Sequence, residues 1–277
     1  MPELPEVETI VRSLRPFVEG QTVKRLELLH PRIYRHSNPD VLRNAVEGRE
    51  IERLTRRGKY ILFHTGKGRG GALVAHLRMS GRLLIGEVPD DHPHLRARFQ
   101  FDDGNRLHFI DARTFGTLFT NGSDAPDGFR TLGVEPLSSS FTARRMAALF
   151  HGRRAGVKVL LLRQDLIAGI GNIYASEALW LARIHPLTPG GQPAFAEIKR
   201  LHRELRRVLR RAIEQMGTTF SDYRRPDGEP GEFGNELLVY GRAGQPCPRC
   251  NTSIERVFHH GRSSFFCPHC QHPASRG

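Results

Sequence analysis

The chain has 277 residues, room for about two domains that each bury a core. With 38% hydrophobic and 26% charged residues it has ordinary globular composition, which excludes wholesale disorder and a disulfide-stapled miniprotein. Lys+Arg 42 against Asp+Glu 29 leaves a net charge of +13 and points to an anionic partner, nucleic acid first, although a ribosomal or membrane-surface protein would carry the same sign.

The opening MPELPEVETIVRSL has no basic stretch followed by an apolar one, and nowhere does the sequence reach the roughly 18 consecutive apolar residues of a spanning helix. A cytosolic, soluble protein is expected. Pro5 suits a first helical turn, Leu4, Val7, Val11 and Leu14 recur at helical spacing, and Pro16 is expected to close that helix. From about residue 22 to 120 the pattern is one of short strands: 59–63, 72–79, and the alternation Leu95, Ala97, Phe99, Phe101. The turn Asp102-Asp103-Gly104-Asn105 reverses the chain into 107–110. A β-sandwich with a helix at its start is the expected reading.

After Pro136 and Ser138 to Ser140 the strand signals stop, and helices are predicted over 142–150, 157–165, 173–184 and about 194–216. The last carries Ile198, Leu201, Leu205, Val208, Leu209 and Ile213 on one face and Arg203, Arg206, Arg207, Arg210 and Arg211 on the rest, the pattern of a solvated surface helix. Residues 217–235, rich in Gly, Asp and Pro, read as a long loop or linker of the sort that more often serves function than mere connection. The fold class is α+β and multidomain.

Three constellations carry chemistry. Cys247-x2-Cys250 and Cys267-x2-Cys270, sixteen residues apart, have the two-knuckle spacing that lets four thiolates surround a tetrahedral Zn²⁺. Four protein ligands leave no open position, so one structural ion is expected, replacing a core that so short a segment cannot build. Between the knuckles, Arg256, His259, His260 and Arg262 form a basic hairpin tip suited to phosphate. Second, Gly169-Ile170-Gly171-Asn172 turns between helices, with Asn172 placed to cap a helix beginning at Ile173; outward-pointing amides there, with Arg153, Arg154 and Lys158 nearby, suit a phosphate oxygen. Third, once Met1 is removed, Pro2 presents a secondary amine with basicity of roughly 7.7 to 8.0, neutral often enough to attack a sugar carbon and form an iminium. Glu3 or Glu6 beside it offers a general acid or base. Taken alone, the same residues read better as an acidic helix start that complements the helix dipole.

These residues, taken with Pro2-Glu3-Leu4-Pro5-Glu6-Val7-Glu8-Thr9, Arg57-Gly58-Lys59-Tyr60, His76-Leu77-Arg78-Met79-Ser80-Gly81, Gly171-Asn172-Ile173-Tyr174 and Val239-Tyr240-Gly241-Arg242, make the sequence resemble the bacterial formamidopyrimidine-DNA glycosylase family from end to end. The resemblance implies an N-terminal helix on a β-sandwich (1–134, catalytic), a helix–two-turn–helix DNA-binding domain (135–222), a lesion-capping loop (223–237) and a C-terminal four-cysteine zinc finger (238–277). It implies excision of oxidised purines (8-oxoguanine, formamidopyrimidines) from damaged double-stranded DNA by a bacterial monomer of the cytosol and nucleoid, with no membrane partner. It makes Pro2 the Schiff-base nucleophile, Glu3 the acid, Lys59 the residue serving β-elimination and Arg262 the one serving δ-elimination. Met79, Arg113 and Phe115, of which Met79 and Phe115 read as core residues in isolation, become the group inserted where the base has left the stack. His92, Arg153 and Asn172 become backbone or lesion contacts. Arg163 departs from the Asp common in the family. Two alternatives stay open: an endonuclease VIII-like glycosylase for oxidised pyrimidines, whose family usually has glycine in place of Leu4, and a non-catalytic zinc-containing nucleic-acid-binding protein.

Overall fold

In a computed structural model, residues 1–66, 71–219, 226, 229 and 231–272 are described. They divide into two units, each discontinuous in sequence: Met1–Arg130 with Gln215–Gly234, and Thr131–Glu214 with Asn235–Gly277. Among the described residues no helix is long and apolar enough to cross a membrane.

The first unit begins with α1 (Leu4–Val18) and β1 (Val23–Leu28), then α2 (Pro39–Val46), which the sequence reading did not anticipate. Asn38 caps α2 by accepting from the Asp40 amide at 2.8 Å. Seven strands follow: β2 (Ile51–Arg57), β3 (Tyr60–Thr65), β4 (Ala72–His76), β5 (Gly81–Ile85), β6 (Leu95–Phe101), β7 (Arg106–Asp111) and β8 (Thr117–Thr120), and then a single turn of helix, α3 (Asp127–Arg130). They form two four-stranded antiparallel sheets, ordered β1-β6-β7-β5 and β2-β3-β4-β8. The inner faces meet in one core with the apolar stripe of α1: Val7, Val11 and Leu14 join Leu54, Phe63, Phe99 and Phe109, and Phe63 stacks on Phe99 at 5.3 Å. This is the sandwich that the alternating strands predicted.

Three expectations are corrected here. Pro16 does not close α1, which runs on to Val18. Proline removes only the bond that its own N–H would make, and in the last turn the buried Val18 holds the chain helical until the Glu19 amide returns to the Arg15 carbonyl at 3.0 Å. The strand expected over 72–79 stops at His76, because Arg78 takes a left-handed φ of 54° and the Gly81 amide closes on the Leu77 carbonyl at 2.9 Å. Lys59 lies in the two-residue turn between β2 and β3, not on a strand; Gly58, at φ 55°, supplies the backbone conformation that turn needs.

The second unit holds α4 (Ala143–Phe150), α5 (Val157–Leu162), α6 (Asn172–Ala182), α7 (Phe195–Glu214) and the hairpin β9 (Glu255–His259) with β10 (Arg262–Phe266). Helix α5 ends three residues short of its expected boundary. Gln164 donates to the Leu162 and Ile170 carbonyls and accepts from the Gly169 amide, and these local bonds turn the chain out of the helix. The apolar face of α7 is buried as expected, but its arginine face is not simply solvated: Arg206 donates to the Pro136 and Ser138 carbonyls at 2.7 and 2.8 Å, and Arg200 to that of Ala182 at 2.6 Å.

Candidate active site and metal centre

In the first unit, Pro2 and Glu3 are buried at the start of α1, with Glu3 as its N-cap residue. The carboxylate of Glu6 accepts the Glu3 amide at 2.7 Å through one oxygen and the Thr218 amide at 2.8 Å through the other. The Glu3 side chain in turn accepts the Glu6 amide, so the two carboxylates form a reciprocal capping box at the helix start. Thr218 stands at the root of the excursion expected to be a loop, whose two ends are cinched together: the Glu232 amide bonds the Gln215 carbonyl at 3.0 Å and the Phe233 amide bonds that of Gly217 at 3.0 Å. Gly217 takes φ 82°, a conformation that side chains rarely adopt, and a Cβ there would crowd Glu6 at 3.0 Å. Residues 220–225, 227, 228 and 230, which include six of the fifteen residues of the expected capping segment, lie outside the described residues.

Lys59 is only 6% exposed. Its turn is tied to α1 by Arg56, which binds the Glu8 carboxylate at 3.1 Å and the Gly58 carbonyl at 3.0 Å. Burial pushes the Glu8 carboxyl up, but hydrogen bonds and charge from Arg12 and Arg56 prevail and hold it below the ordinary value. His76, at the end of β4, is driven well below the ordinary histidine value by burial first and then by the charges of Arg78, Lys59 and Arg35. It is a neutral imidazole whose Nδ1 accepts from the Arg78 amide at 3.0 Å.

Met79 and Phe115 are not core residues: they are 44% and 46% exposed, large apolar side chains held out into solvent, and Arg113 is exposed between them in sequence. His92 is half-buried, its Nδ1 accepting from the His94 amide at 3.1 Å.

In the second unit, Gly171 and not Asn172 is the N-cap of α6, and Asn172 is its first helical residue. The side-chain amide of Asn172 donates to the Ser263 carbonyl at 2.9 Å, while its Oδ1 is buried without a protein partner. Lys158 is likewise buried, bonded to the Ser263 carbonyl and the Ser264 hydroxyl, each at 2.8 Å. Both thus brace the hairpin. The guanidinium of Arg153 donates to the Leu149 carbonyl at 2.7 Å. Arg262 is exposed at the start of β10, and with Lys158, Arg163, His259 and His260 it lines an open groove of about 220 Å³, a cationic surface that includes the departure at Arg163.

The four cysteine sulfurs lie within 4.8 Å of one another, with Cys250 3.5 Å from both Cys267 and Cys270. Those separations are far beyond a disulfide bond and close to the edge, about 3.8 Å, of a tetrahedron drawn around zinc at about 2.3 Å. The donor set fits a closed structural site. Trp180, Val239 and Ile254 pack around the buried Cys247 and Cys267. Gln271 accepts from the Cys267 amide at 2.9 Å and donates to the Ile184 carbonyl at 2.8 Å. Glu177 on α6, which the sequence reading missed, accepts from three successive amides, those of Leu238, Val239 and Tyr240, at 2.9 to 3.0 Å. Burial holds its carboxyl above the ordinary value, and the three donors offset only part of that rise.

A sandwich bearing a Pro-Glu helix start, a helical unit and a four-cysteine finger defines a known class, and the comparisons agree. Residues 1–118 match the formamidopyrimidine-DNA glycosylase N-terminal domain, 132–224 its H2TH domain, and 244–273 the zinc finger found in FPG and IleRS. The formamidopyrimidine-DNA glycosylase of Symbiobacterium thermophilum is 47% identical over 98% of this chain and 89% of its own. Among solved structures, the MutM (FPG) protein of Thermus thermophilus superposes with a TM-score of 0.87 at 42% identity, covering 99% of this chain and 100% of that one. A Lactococcus lactis FPG variant in complex with Fapy-dG-containing DNA superposes with a TM-score of 0.88 at 33% identity, covering 98% and 100%. The chain belongs to the formamidopyrimidine-DNA glycosylase family.

Proposed function

We propose that this protein is a bifunctional DNA glycosylase and AP lyase of base excision repair, which removes oxidised purines from duplex DNA and then nicks the strand by β,δ-elimination. The observation that carries the reading is the start of α1: Pro2 and Glu3 are buried within one turn of Glu6, whose carboxylate also holds the root of the 217–233 excursion. Family membership and the Fapy-dG complex of the Lactococcus lactis relative support the choice of substrate.

In the proposed mechanism, aminopeptidase removal of Met1 frees the Pro2 nitrogen. That nitrogen attacks C1′ of the damaged nucleotide while Glu3, as acid, assists release of the base. Loss of the Pro2 proton leaves a neutral N,O-acetal at C1′; the C1′–O4′ bond then breaks, O4′ takes up a proton as the sugar ring opens, and the resulting iminium draws electrons from C2′. With Lys59 serving the loss of the C2′ proton, the 3′-phosphate departs; Arg262 then serves departure of the 5′-phosphate. Because an oxidised base inside a duplex is out of reach, the nucleotide must first rotate out, at about a few kcal/mol of unstacking. Met79, Arg113 and Phe115 fill the vacated space, and the segment over 223–237 covers the extruded base. His92, Arg153 and Asn172 contact the backbone or the lesion.

Cys247, Cys250, Cys267 and Cys270 would hold one zinc ion, which supplies rigidity to the hairpin and takes no part in the chemistry. The protein acts as a monomer on DNA in the bacterial cytosol and nucleoid. Borohydride trapping tests the reading: with lesion-bearing duplex the processed chain forms a covalent adduct, and Pro2→Gly or a blocked N-terminus abolishes it. Strand nicking with no trappable adduct overturns the mechanism.

A further inference from the structure

The two loops that carry the exposed side chains, 77–81 with Met79 and 112–116 with Arg113 and Phe115, converge on one buried carboxylate. Asp111 is 1% exposed at the last position of β7, directly across from Gly81 of β5. One of its oxygens accepts the Ser80 hydroxyl at 2.5 Å and the Arg113 amide at 3.2 Å; the other accepts the Gly116 amide at 2.7 Å. The Arg113 amide also reaches the Ser80 hydroxyl at 3.4 Å, so the two loops share a single hydrogen-bonded knot.

Each loop is strained. Arg78 and Thr114 both take φ 54°, an uncommon conformation for any residue with a Cβ and an outlier for a β-branched one. Such conformations persist only when their surroundings over-determine them, and they gather where a side chain must be aimed. Those surroundings are visible: His76 Nδ1 holds the Arg78 amide, Arg96 donates to the Thr114 hydroxyl at 3.0 Å, and Arg35 donates to the Phe115 and Gly116 carbonyls at 3.0 and 3.4 Å. The loops also pack too closely for side chains at two positions: a Cβ on Gly81 would lie 2.5 Å from the Leu77 carbonyl and one on Gly116 would lie 2.6 Å from the Phe109 ring.

We propose that Asp111 is a positioning residue for base extrusion: by binding both loops at once it holds Met79, Arg113 and Phe115 as one preorganised wedge, so that the three enter the duplex together. The inference rests on the insertion role assigned to those three side chains. A wedge assembled before binding loses little side-chain and loop freedom on entering DNA, whereas two independently moving loops would have to be ordered in that step. Asp111 itself touches no substrate.

The test uses duplexes with 2-aminopurine opposite the lesion, which reports disturbance of the stack on mixing, alongside single-turnover excision and borohydride capture at a preformed abasic site. Asp111→Asn keeps the shape but replaces one acceptor with a donor that faces an amide. The expected result is excision slowed about tenfold with the fluorescence change delayed in parallel, while abasic-site capture, where no base has to leave the stack, changes less than twofold. Ser80→Ala, which leaves the carboxylate in place and removes only the cross-link between the loops, gives a smaller loss of the same pattern and serves if Asp111→Asn does not fold. Equal losses on both substrates, or unaltered excision in both variants, overturn the inference. A Met79→Ala/Phe115→Ala double variant separates the two levels. If it abolishes the fluorescence change while Asp111→Asn does not alter it, this inference alone fails; if it leaves the change intact, the insertion reading fails and this inference with it.

Discussion

Glu3 and Glu6 lie one turn apart at the start of α1 and cap it reciprocally. Both oxygens of Glu6 accept backbone amides, from Glu3 and from Thr218, which suits a residue that holds geometry. The proposed function assigns Glu3, buried beside Pro2, the proton given to a departing base. Glu3→Gln is therefore expected to slow excision by about a hundredfold or more, the range of a lost general acid, and to slow cleavage at a preformed abasic site far less. Equal losses in the two assays would remove Glu3 from that role. At Arg262, exposed where β10 begins, replacement by Ala should leave β-elimination products dominant on a sequencing gel; δ-product at the parental level would exclude the assignment.

At the scale of elements, the site is set by side chains that bind turns and helices together. Arg56 ties α1 to the β2–β3 turn, Glu6 ties α1 to the root of the 217–233 excursion, and Glu177 ties α6 to the backbone of 238–240. Glu177→Ala should destabilise the second unit by about 3 kcal/mol, because three successive amides lose their acceptor at once; a thermal melt reads the loss directly. His76 gives a pH signature. Its native pKa lies well below 6.5, so below about pH 6.5 the unfolded chain binds a proton that the native chain refuses. Stability is therefore fully present above about pH 6.5 and falls as pH drops from there towards the native value, by up to about 1.4 kcal/mol per pH unit. Denaturant midpoints between about pH 7 and 5 should show this slope, and His76→Gln should flatten it.

For the molecule as a whole, a net charge of +13 makes attraction to DNA strong and independent of sequence. If six to ten phosphates are neutralised, affinity for undamaged duplex should drop by about 10³ to 10⁵ between about 50 and 200 mM salt. Cys250→Ser should lower zinc content and DNA affinity together, since without the ion the finger rests on a small apolar cluster that includes Trp180, Val239 and Ile254. Full affinity in a zinc-free variant would show that the finger folds and binds without metal.

Several features were legible in the sequence because their physics is local. The cysteine spacing fixes four sulfurs within reach of one ion, the 3.6-residue stripe of α1 and α7 fixes which faces are buried, alternation marks β6, and the Asp-Asp-Gly-Asn turn marks the return into β7. The family motifs pointed to Pro2, Glu3 and Lys59 as well. What the sequence could not show depends on residues far apart meeting: Glu6 meets Thr218 from 212 positions away, Glu177 meets Val239 from 62, and Ser80 meets Asp111 from 31. Asp111 gave no signal beyond closing an apolar strand. Hydrophobic pattern alone could not tell Met79 and Phe115 from core residues, although the family resemblance set them apart, because hydrophobicity measures the tendency to leave water, and only tertiary packing decides whether there is a core to receive the side chain.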